Sequence, residues 1–75
     1  MCLAIPAKVV DILNDTIVEV ETFGNRAQVN TSLVEEVKLD DYVLVHAGFA
    51  IEIIDEEAAS ESLALWREIY ATQLN

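Results

Sequence analysis

TIVEVETFGNRAQVN, residues 16–30, alternates apolar and polar side chains through Val18, Glu19, Val20 and Glu21. Period two marks a strand with one face on a core and the other in water. The alternation stops at Gly24-Asn25, a turn pair, and RAQVN resumes as a short third strand. Upstream, IPAKVVDI (5–12) is rich in β-branched residues and ends at the turn signal Leu13-Asn14-Asp15, which predicts an antiparallel partner for TIVEVETF. Downstream, YVLVHAGFAIEII (42–54) carries two further strands joined at Ala47-Gly48. In it Val43 and Val45 share one face and Leu44 and His46 the other, while Phe49, Ile51 and Ile53 are expected to form a further apolar row. The connector TSLVEEV reads equally as a helical turn or an irregular loop, and either way Leu33, Val34 and Val37 are expected to tuck into the core.

From Asp55 the period changes. Asp55 suits an N-cap, Glu56 and Glu57 suit the positive end of a helix dipole, and Leu63, Trp66, Ile69/Tyr70 and Leu74 recur at helical spacing. One amphipathic helix of about five turns follows. Its apolar face predicts packing on the barrel, with an overhang around Tyr70 and Leu74. The expected fold is mainly β: a small five-stranded OB-like barrel over residues 1–54, including an N-terminal cysteine motif, with one C-terminal α-helix over 55–75 packed on it as a single domain.

With 75 residues, the chain holds one domain at most, and 53% apolar content is well above that of a disordered chain. Fourteen acids against four bases give a formal charge of −10. Nucleic-acid binding draws its affinity from Lys and Arg on phosphates, and Lys8, Arg26, Lys38 and Arg67 are scattered, so DNA and RNA are not expected partners. No stretch approaches the length of a bilayer span, and MCLAIPAKVVDIL has neither a charged leader nor a cleavage site. No membrane partner is expected on that ground, and a free thiol argues for a reducing, cytoplasmic setting.

Candidate chemistry is confined to Cys2, the only cysteine, and His46, the only histidine. Four-ligand zinc spacing is absent, so the chain cannot close a metal site alone. Beside a free α-amino group, should Met1 be removed, the Cys2 thiol would favour the thiolate. Thiolate plus imidazole suits iron whose other ligands come from elsewhere. A thiol enzyme would lack an orienting third group, and an oligonucleotide-binding module would lack a basic groove. Pro6 fixes its own φ and biases Ile5 toward extended backbone; it serves either to aim MCLAI away from the barrel or simply to start a strand.

MCLAIPAKV at the start and YVLVHAGFAIEIIDEEAA at 42–59 closely resemble the two signatures of the HypC/HupF family of nickel-iron hydrogenase maturation chaperones, and NTSLVEEVKLDD fits the family's connector. The likeness implies an OB-like barrel with a carboxy-terminal helix that is not an enzyme. It implies binding to HypD, where iron carrying cyanide and carbon monoxide is assembled, and delivery of that fragment to the hydrogenase large-subunit precursor. Cys2 corresponds to the family's essential cysteine, His46 to its motif histidine and Pro6 to its proline. The expected metal ligands are therefore Cys2 and His46, and the expected partner contacts Cys2, Leu3, Ile5, Pro6 and His46. The family often has glycine where Ala7 stands here.

Overall fold

The computed structural model describes residues 4–73. Five strands, β1 (Ile5–Ile12), β2 (Ile17–Thr22), β3 (Asn25–Asn30), β4 (Tyr42–His46) and β5 (Phe49–Ile54), precede one helix, α1 (Glu56–Gln73). The strands close in the order β1-β2-β3-β5-β4, as in an OB barrel. All neighbours are antiparallel except β3 and β5, which run parallel and meet at Asn30↔Phe49. The Asn30 N–H donates to the Gly48 carbonyl at 2.9 Å beside that seam.

Local chemistry accounts for the turns. Asn14 Oδ1 accepts from the Thr16 and Ile17 amides, each at 2.9 Å, which closes the β1–β2 turn. The β2–β3 turn is Phe23-Gly24, one residue earlier than the expected Gly24-Asn25, because Asn25 already pairs with Thr22. Both turn residues have positive φ, 51° and 80°, the signature of a type I′ hairpin. Ala47-Gly48 repeats the pattern at 52° and 83° between His46 and Phe49. A Cβ at Gly24 or Gly48 would meet nothing within 4 Å, so φ and not crowding fixes glycine there.

The core is built of small side chains: Ala7, Val9, Val18, Val20, Val29, Val43 and Ala50 form one buried cluster, with Val34, Val37 and Val45 packed against it. Two expectations fail. Leu33 is 64% exposed, since the connector after β3 forms turns with no ladder to direct it inward. The proposed row of Phe49, Ile51 and Ile53 is interrupted. Val45 pairs with Ala50 but Leu44 with Glu52, leaving Ile51 as an extra residue. Ala50 is the fully buried β5 side chain, and all three members of the row stand partly in water.

A second irregularity, between Val9 and Asp11, lets β1 bend from β4 toward the connector and β2. There the Val9 amide donates to the Asp41 carbonyl at 2.8 Å and the Asp40 amide to the Val9 carbonyl at 3.0 Å. Helix α1 starts as expected: Asp55 Oδ1 accepts from the Ala58 amide at 2.7 Å. The helix packs against β1, with Ala59 fully buried and Leu63 and Trp66 half-buried.

Candidate functional site at the barrel mouth

One end of the barrel is open. A cleft of about 900 Å³ is walled by interior-facing side chains of four strands, Ile5, Ala7, Val20, Val29 and Val45 among them. Its rim is formed by the two type I′ hairpins, at Phe23 and at His46-Ala47, and by the last turns of α1, at Arg67, Tyr70 and Ala71. The small Ala and Val side chains that close the barrel elsewhere leave this space unfilled.

His46 is the last residue of β4, exposed at the rim, and its ring is hydrogen-bonded to no described residue. Register ties it to the start of the chain. Ile5 pairs with Val45 and Pro6 with Leu44, so the start of β1 lies beside the end of β4 that His46 closes. Ile5 is half-buried on the cleft wall. Pro6 is fully buried, with its carbonyl accepting from the Thr22 hydroxyl at 2.9 Å. By strand alternation it faces outward, the side on which α1 covers β1. The exit from the barrel considered at Pro6 does not occur there. Pro6 and Ile5 are both in the ladder and Ala4 is buried, because a proline at a strand's start still offers its carbonyl. Pro6 therefore presents no accessible side chain to a visitor. Cys2 and Leu3 lie outside the described residues.

Three rim residues escaped the sequence reading: Phe23, Arg67 and Tyr70. The Phe23 ring meets Tyr70 edge-to-face with centroids 5.3 Å apart, and the Arg67 guanidinium lies 5.6 Å from its centroid. Tyr70 also neighbours Trp66 at 6.3 Å. A bulky residue at positive φ is unfavourable by itself, and these contacts hold it. A signal was present: Phe immediately before a hairpin Gly, and Arg67 and Tyr70 three apart on one helix face.

Charge is unevenly distributed around the cleft. None of the fourteen Asp and Glu lines it, whereas two of the four Lys and Arg, Arg26 and Arg67, and the only histidine do. Arg26 is shared with the outer face of β2, 3.2 Å from Glu21 and 3.7 Å from Glu19. Among the described residues no group of three or more His, Cys, Asp or Glu side chains is placed to hold a metal ion. Among them, too, no helix is long and apolar enough to cross a membrane.

The HupF/HypC family profile matches residues 1–66. The chain is 47% identical over 68 residues to the hydrogenase maturation factor HypC of Rhizobium leguminosarum bv. viciae, covering 91% of each chain. It is 44% identical over 70 residues to the factor of that name from Helicobacter hepaticus, covering 92% of this chain and 81% of the relative. It is 36% identical over 75 residues to the hydrogenase maturation factor HybG of Escherichia coli K12, covering 92% of each. These relatives bear the names of maturation factors rather than of enzymes. A five-stranded barrel with a terminal helix, a histidine at its mouth beside the incoming chain, and matches that span both signatures place this protein in the HupF/HypC family.

Proposed function

We propose that this chain is a hydrogenase maturation chaperone that accepts iron bearing cyanide and carbon monoxide from HypD and passes it to the large-subunit precursor of a nickel-iron hydrogenase. Cys2 supplies the thiolate ligand, and His46 is a second ligand or orients the fragment. The observation that carries this reading is a family match running from residue 1 past residue 46, joined to a register that sets the start of β1 beside the end of β4, where His46 stands.

The chemistry supports a carrier. A thiolate is a soft donor suited to iron held by strong-field ligands, and imidazole suits iron as well. With at most two protein ligands from this chain, a partner must complete the coordination, and ligand exchange between partners can then move the cargo. Leu3 and Ile5 are the apolar contacts of the partner surface. Pro6, buried, acts by setting the course of β1. A free, exchangeable thiol belongs in the reducing cytoplasm.

The test is hydrogenase activity in cells whose only copy of this factor is Cys2→Ala. Loss of mature hydrogenase, with the purified variant unfolding at the same urea concentration as the parent, is expected. Undiminished maturation would refute the proposal.

A further inference from the structure

The chain carries fourteen acids against four bases, yet none of the acids lines the barrel mouth. There an apolar cleft of about 900 Å³ carries Arg67 and Arg26 on its rim and not one carboxylate. A second, smaller concavity, between the β1–β2 turn and the connector, differs: Asp15 and Glu36 are among its lining residues. From this contrast we infer that the mouth docks a short apolar segment of a partner protein whose flanking residue is Asp or Glu, with the apolar side chain in the cleft and the carboxylate against Arg67.

Three physical features specify that occupant. First, most of the wall is Ile5, Val20, Val29 and Val45 with Ala7 and Ala27, which carry no polar side-chain atom; Thr22 and Asn25 also line it, but the Thr22 hydroxyl already donates to the Pro6 carbonyl, so a charged group deep in the cleft would lose water with little recompense. A Leu-, Phe- or Met-sized side chain would instead gain most of the transfer free energy of burial. Second, the cation is positioned. Arg67 stacks over Phe23, and Phe23 is buttressed by Tyr70, so the guanidinium is held at the rim with its donors available in a planar fork. Arg26 is engaged by Glu19 and Glu21 and adds less. Third, the remaining surface repels the same ligand. With a net charge of −10 and no carboxylate lining the cleft, an acidic segment is repelled by the protein as a whole and least so at the mouth, which favours productive encounter there. A basic segment would be drawn away from the cleft to the acidic faces.

This docking rests on the partner-binding role proposed above, since Ile5 and His46 line the same mouth, but it needs no iron. The experiment is selection of the purified full chain against a random short-peptide library, with affinities of recovered peptides measured by isotope-edited NMR titration. Expected are peptides pairing a large apolar residue with an adjacent acid, and amide shifts confined to the ends of β1 and β4, the two mouth hairpins and the last turns of α1. Ala71→Trp, which fills the cleft from an exposed helix position, should weaken them at least tenfold. Arg67→Glu should do the same, and Arg67→Lys should restore most of the binding. Binding is measured on the metal-free chain with no other protein present, so failed iron carriage and failed docking read out separately. The inference is overturned if basic or charge-neutral peptides are enriched, if Ala71→Trp still binds with shifts elsewhere, or if no peptide is recovered. It is also overturned if peptides bind only a chain beginning at Ala4, which would make the chain's own first residues the occupant. Sedimentation as a dimer that Ala71→Trp dissolves would make the occupant a second copy.

Discussion

Phe23 occupies a turn position that its own backbone disfavours, which makes Phe23→Asn an informative perturbation. At φ 51° a non-glycine side chain costs about 1–2 kcal/mol, and asparagine tolerates the region better, so the substitution alone should relieve about 1 kcal/mol. Against this stand the ring's contacts. Phe23 is 37% exposed, and scaling full burial of a phenylalanine by the fraction out of water gives about 1–2 kcal/mol. The edge-to-face pair with Tyr70 adds about 0.5–1.5 kcal/mol. The exposed cation–π contact with Arg67 adds about 0.5–1 kcal/mol. The sum lost is about 2–4 kcal/mol, so Phe23→Asn should destabilise by about 1–3 kcal/mol despite a better turn residue. Equilibrium urea unfolding, followed by the fluorescence of Trp66 beside Tyr70, measures it. If Phe23→Asn proved as stable as the parent or more so, the ring would not be fastening α1 to the mouth, and the account of the rim would fail.

Three further outcomes are expected. Asp55→Ala removes the acceptor of the Ala58 amide and should cost about 1 kcal/mol, with reduced helical circular dichroism at intermediate urea. Ala47→Asn places a residue suited to φ 52° before Gly48 and should stabilise by about 0.5–1 kcal/mol in the same assay; a loss would mean that Ala47 makes contacts that the turn geometry conceals. His46→Ala, at an exposed rim position without a hydrogen bond to a described residue, should leave the unfolding midpoint unchanged while lowering the iron content of complexes with the proposed partner, HypD.

The strands were legible because a strand's period and its turn residues are local. TIVEVET and YVLVH announce one buried face each, and Asn14 and Asp55 do at their positions what short polar side chains do in any protein. What escaped depends on partners distant in sequence. Ile51 is an extra residue only because β4 shifts register at Leu44/Val45, and nothing within FAIEII encodes that. Leu33 is apolar yet exposed because the connector lacks a ladder to orient it. The mouth itself joins residues from the chain's start, two hairpins and the end of the helix. His46 could be named from its motif, but the acid-free rim and the Phe23–Tyr70–Arg67 stack exist only after folding.

The central claim is that Cys2 holds cyanide- and carbonyl-bearing iron for transfer, and infrared spectroscopy of the protein purified from hydrogenase-producing cells tests it most directly. The parent, isolated with its partner, should show cyanide and carbon monoxide stretching bands, and Cys2→Ala isolated in the same way should show neither. Bands of equal intensity in the Cys2→Ala sample would contradict the account.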